Sequence, residues 1–131
     1  MTNDEFINDE RRNAAGSPGF DLEIRTAKFG ASVIRFAKRL TPSLVMTPLI
    51  GQLVRSATSV GANYVEADNA ESRKDFHHKI GICRKEARES VHWLRMVAVA
   101  DPSIRNEAEA LSSEAKELNL IFSAIRRNKE R

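Results

Sequence analysis

The sequence predicts an all-α chain folded as an antiparallel up-and-down four-helix bundle. Three observations carry that expectation. Apolar or small residues recur at alternating steps of three and four in four separate stretches. No window of comparable length alternates with period two, and only 6% of residues are aromatic, which disfavours a sheet. Proline and short polar breaks fall between the four stretches and nowhere inside them.

Residues 1–19 lack periodicity and finish in Gly16-Ser17-Pro18-Gly19, the pattern of a flexible polar arm. The first helix is expected over about 21–40, with a seam of Leu22, Thr26, Phe29, Val33, Phe36 and Leu40. It ends at Leu40-Thr41-Pro42 because proline disfavours helical geometry in the residue before it. The second, over about 48–69, carries Ile50, Leu53, Ala57, Val60, Tyr64 and Ala67. Thr47 is its expected N-cap, with Pro48 at the first helical position, where a missing N–H costs nothing. The third, over about 73–99, carries Phe76, Ile80, Cys83, Ala87, Ser90, Leu94 and Val97 after a Ser72-to-Asp75 capping box. The link before it is short enough to force a hairpin. The fourth, over about 103–128, carries Ile104, Ala108, Leu111, Ala115, Leu118, Phe122 and Ile125. Asp101-Pro102-Ser103 closes the third helix and caps the fourth, and Arg126-Arg127 suits a helix C-terminus.

A chain of 131 residues makes one such domain, with 20–131 forming the bundle. Its lone cysteine, Cys83, permits no internal disulfide, and no apolar run approaches a membrane span, so the cytoplasm is the expected location. Net charge is +3 overall, with the acidic arm at −2 and the remainder at +5. That balance admits an anionic partner without requiring one.

Two features go beyond what one bundle needs. Gly30, Gly51, Gly61 and Gly81 interrupt the helices at about 1 kcal/mol each relative to alanine, which close helix approach would offset. Leu49, Val54, Trp93, Met96, Val99, Ile34, Leu120 and Ile121 lie off the seams, a stripe wide enough to bury against another copy of the chain.

Polar residues on the second and third helices form a candidate structural network. If the two turn back on one another near Ala70-Glu71, Arg55 lies across from Glu86 and Glu89, and Asn63 and Glu66 across from Lys79, with Ser59 on the same stripe. The third helix also carries seven basic residues against three acidic ones. Arg73, Lys74, Arg84, Lys85 and Arg88, with Arg126, Arg127 and Lys129 at the chain's end, are candidate nucleic-acid contacts.

The stretch Gln52-Leu53-Val54-Arg55-Ser56-Ala57-Thr58-Ser59-Val60-Gly61-Ala62-Asn63-Tyr64-Val65-Glu66-Ala67 resembles the signature of a bacterial four-helix-bundle family. Its members are encoded in intervening sequences of large-subunit ribosomal RNA genes. The resemblance runs on through Ser72-Arg73-Lys74-Asp75-Phe76, Lys79, Lys85-Glu86-Ala87, Glu89 and Trp93-Leu94, covering about residues 20–128. His92 departs from it where an aromatic commonly precedes the tryptophan, Cys83 where a smaller residue is usual, and the acidic arm is extra. The resemblance implies a homopentamer of up-and-down bundles. It also implies kinship in fold with the accessory protein of diversity-generating retroelements, a basic pentameric barrel that binds nucleic acid and a reverse transcriptase.

Catalysis and cofactors are not expected. Glu89-Ser-Val-His92 and Asp75-Phe-His-His78 have partial di-iron spacing, but they lie about 21 Å apart on one helix and lack carboxylates from other helices. Cys83 sits in a seam with no assignable base, and no phosphate-cradling glycine loop or nucleophile elbow occurs. The expectation is a non-catalytic, self-assembling scaffold or adaptor that binds RNA or DNA without regard to sequence. The alternative is a module that binds protein partners only.

Overall fold

The computed structural model describes residues 18–128, and all regular structure among them is helical: α1 (Pro18–Lys38), α2 (Met46–Asp68), α3 (Arg73–Ala100), a 3₁₀ turn (Pro102–Ile104) and α4 (Arg105–Arg127). The expected arm lies outside the described residues up to Ser17, as does Lys129. Pro18 and Gly19 belong to α1, which starts three residues earlier than periodicity suggests.

The helix ends follow from local hydrogen bonding. α1 tightens as it stops: the N–H groups of Arg39 and Leu40 reach back only three residues, to the carbonyls of Phe36 and Ala37. Thr47 is not the cap of α2. Ser43 takes that role, its hydroxyl accepting from Met46 N–H at 2.9 Å and its carbonyl from Thr47 N–H at 3.0 Å. The helix begins at Met46, two residues before Pro48, which falls in its first turn. Ser72 caps α3 by accepting from Asp75 N–H at 3.0 Å. Asp101 holds the turn into α4, its carboxylate accepting from Ser103 N–H at 3.1 Å and Ser103 Oγ at 2.6 Å.

The seams are buried through most of their length, with Leu22, Ile50, Phe76, Ile104, Leu111 and Ile125 half-buried. Val33, Phe36, Leu53, Val60, Ile80, Leu94, Leu118 and Phe122 form the centre, with the Tyr64 ring tilted on Phe122 at 6.2 Å. Ala57, Cys83, Ala87 and Ala115 are fully buried between them, small enough to let the helix axes approach. A Cβ on Gly30 would sit 3.6 Å from Thr58 Cα, and one on Gly61 3.3 Å from Thr26 Oγ1, so α1 and α2 close most tightly at these points. Gly51 meets nothing within 4 Å and plays no such part.

Contact is most extensive between α2 and α3, then α3 and α4, then α1 and α2, and is least between α1 and α4. Ile24 and Ala31, on the side of α1 away from its seam, form a second, small buried cluster.

Candidate nucleic-acid interface

Charge on this molecule is sorted by face. On the α2–α3 flank Arg55 donates to Glu86 Oε2 at 3.0 Å and pairs with Glu89, and it also donates to Gln52 Oε1 at 3.2 Å. Trp93 Nε1 donates to the same Glu89 carboxylate at 2.9 Å. Two to three helical turns nearer the link, Lys79 Nζ donates to Glu66 Oε2 at 2.9 Å, and that carboxylate raises the lysine's pKa. Asn63 does not cross to α3. Its amide donates instead to the Ser59 carbonyl at 2.8 Å, within its own helix. Ser59 thus enters the network through its backbone. Beneath the charges the Ser90 hydroxyl donates to Ser56 Oγ at 3.0 Å, a buried pair joining the two helices.

The α1–α4 flank has a network that helical spacing did not reveal. Arg25 forks onto Glu114 at 2.8 and 2.9 Å and reaches Glu117 at 2.9 Å. The hydrogen bond to Glu114 is the main reason its pKa is raised. Arg39 pairs with Glu107 further along. These partners are 68 to 92 residues apart in the chain, so only the packing of the first helix on the last could identify them.

The α3–α4 flank is different. Its one ion pair among the described residues is Arg105 with Glu109, within a single helix. Val91, Ala98, Val99, Arg95, Pro102 and Lys116 line an open groove of about 720 Å³ between these helices. Arg88, Asn119 and Leu120 extend it along the pair. Asn119 ties the walls together by donating to the Arg84 carbonyl at 3.0 Å. Lys85 and His92 lie on the outer edge beside Arg88. At the far end Arg126 of α4 rests on Gly81 of α3, and Arg127 is exposed beyond it. Arg73 and Lys74, in the first turn of α3, are exposed at that same end.

Part of the sequence-named set of cations comes to this flank. Arg88 and Arg95 fall on the side of α3 next to α4, joined by Lys116, which periodicity alone does not single out, and the backbone carbonyl of Arg84 faces Asn119 of α4. Arg73 to Arg95 spans about 33 Å of helix, close to one turn of a nucleic-acid duplex.

Burial pushes the Cys83 thiol up to about 12, far from a usable thiolate at neutral pH, and pushes Tyr64 to about 12 as well. Among the described residues no three His, Cys, Asp or Glu side chains are grouped to hold a metal ion. None of the described helices is long and apolar enough to cross a membrane.

Comparison with known proteins points to a family rather than an activity. The chain is similar to a crystallised protein of unknown function from the S23 ribosomal protein family of Bacteroides thetaiotaomicron, at 27% identity and a TM-score of 0.72. That match covers 81% of this chain and 98% of the other. Among curated proteins no match is found. The model of the 23S rRNA-intervening sequence protein family matches residues 24–124. Sharing that span, the chain belongs to the 23S rRNA-intervening sequence protein family.

Proposed function

We propose that this protein is a non-catalytic, cytoplasmic adaptor: an antiparallel up-and-down bundle that assembles with copies of itself and holds structured RNA through backbone charge. One observation carries the reading. Carboxylates neutralise the cations between α2 and α3 and between α1 and α4, whereas Arg84, Arg88, Arg95 and Lys116 on the α3–α4 flank have no ion pair among the described residues. Unpaired cations lined along one flank suit phosphates, whose contacts are independent of base identity.

Self-assembly draws on the apolar surface left outside. Leu44 is 99% exposed, Val99 72% and Val45 65%. The α1–α2 turn and the C-terminal end of α3 share one end of an up-and-down bundle, so these three residues form an apolar cap suited to a sister copy. A homopentamer, the assembly that the family resemblance implies, would repeat the basic flank five times and add avidity. The competing reading, a module for protein partners alone, draws on the same apolar cap and needs no cations.

Binding of a labelled RNA duplex at low salt separates the two. Replacing Arg88 and Arg95 together by glutamine weakens binding about tenfold or more, because each lost phosphate contact removes a counterion-release contribution. Replacing Lys28 and Lys38 on α1 by glutamine changes net charge equally and leaves affinity within about threefold. Equal effects from the two pairs would reject the α3–α4 flank as the binding face.

A further inference from the structure

Gly81 and Arg126 are held together in a way that sequence periodicity does not suggest. A Cβ built on Gly81 would lie 3.2 Å from Arg126 Cζ, 3.3 Å from Nη1 and 3.4 Å from Nε. Three nearly equal distances, with the central carbon nearest, mean that the guanidinium lies face-on to the missing side chain. The face of a guanidinium is weakly hydrated and packs well, while its N–H donors project from the edges. Gly81 therefore orients Arg126: it takes the face and leaves the edge for an acceptor. No carboxylate among the described residues fills that edge, and Arg126 is only half-exposed.

A second observation lies one helical turn away on α3. His77 Nδ1 is buried and has no hydrogen-bond partner, the only such side-chain atom among the described residues. Buried polar atoms are nearly always paired, so an unpaired one calls for an explanation. His77 is four residues before Gly81, one turn away on the side of α3 that faces α4. Arg84 is three residues beyond Gly81 and Arg73 four before His77, so both flank the pair along the same side of the helix.

We propose that Arg126, set face-down on Gly81 one helical turn from His77, forms a preorganised phosphate site at one end of the basic flank. It rests on the nucleic-acid reading and deepens it by naming a fixed phosphodiester contact among the cations of that flank. Gly81 acts as a positioning residue and Arg126 as the contact. A lysine at 126 keeps the charge but loses the planar edge, and an alanine at 81 forces the guanidinium to shift by a few tenths of an ångström.

The test uses the full chain in two experiments. The first titrates inorganic phosphate while following the side-chain nitrogen signals of His77 and the arginine Nε signals by NMR. The expected result is a saturable shift at His77 and Arg126 together, with the His77 response lost in Arg126→Gln and reduced in Gly81→Ala. Shifts spread evenly over exposed lysines and arginines, with His77 silent, overturn the site. The second measures RNA-duplex affinity for Arg126→Gln, Arg126→Lys and Arg127→Gln. Arg126→Gln and Arg126→Lys should each weaken binding more than Arg127→Gln does, and equal affinities among the three overturn the contact. Failure of the unsubstituted chain to bind the duplex while phosphate still saturates His77 would sink the RNA reading and leave the anion site standing.

Discussion

Gly61 lies so close to Thr26 on the neighbouring helix that a methyl group there would meet Thr26 Oγ1 at 3.3 Å and the Thr26 backbone at 3.5 Å. Neither the backbone of α1 nor a buried threonine yields readily. Gly61→Ala should therefore destabilise the fold by about 1–3 kcal/mol despite alanine's better helix propensity. Gly51 has open space around it, so Gly51→Ala should stabilise by up to about 1 kcal/mol. Chemical denaturation midpoints of the two variants check this, and shifts of the same sign would contradict the account of the α1–α2 approach.

Arg55 and Glu86 pair on a partly solvated surface, Arg55 with 47% of its side chain exposed and Glu86 with 15%. A double-mutant cycle with alanine at both positions should give a coupling of about 0.5–1 kcal/mol that shrinks in high salt. A coupling near zero at low salt would leave the pair with no part in fixing the α2–α3 register.

Cys83 and Tyr64 set an alkaline limit. Both must stay protonated in the fold, with pKa values raised to about 12 from 9.0 and 10.0, so the unfolded chain loses these protons first. Stability is then unaffected below pH 9 and falls between pH 9 and 12, because the folded state binds more protons across that window. Cys83→Ala should delay the onset of that fall to near pH 10, where Tyr64 begins to contribute, whatever its effect at neutral pH. Denaturation curves at stepped pH read this directly, and identical onsets in both chains would contradict it.

The apolar cap offers a test of assembly. Leu44→Asp combined with Val99→Asp places charge on two side chains that are exposed in the single chain, Leu44 almost completely. Helix content by circular dichroism should be unchanged, while native mass spectrometry should shift from an oligomer to the 14.7 kDa monomer. A monomer before substitution, at micromolar concentration, would contradict self-assembly.

The fold was legible because its information is local. A 3.5-residue apolar repeat marks a seam wherever it occurs, and from Leu22 to Ile125 every seam residue is buried or half-buried in the structure. Arg55 against Glu86 and Lys79 against Glu66 could be foreseen for a related reason. Hairpin symmetry about a short link relates 31 and 13 residues of separation by simple counting. Helix starts were less legible. Ser43 displaced Thr47 as the cap because either hydroxyl satisfies the same rule, and only the path of the turn decides between them. Arg25 with Glu114, the Ser56–Ser90 bond and the seat of Arg126 on Gly81 depend on rotation of one helix against another. Rotations of that kind are set by the whole core, so no short stretch of sequence records them.

The central claim, that unpaired cations between α3 and α4 hold RNA by its backbone, is tested most directly by the salt dependence of duplex binding. The account predicts that log affinity falls linearly with log salt concentration, with a slope of about −3 or steeper for four or more phosphate contacts. It predicts further that replacing Arg88 and Arg95 by glutamine flattens that slope by about 2. An affinity insensitive to salt, or a slope untouched by the double substitution, would contradict it.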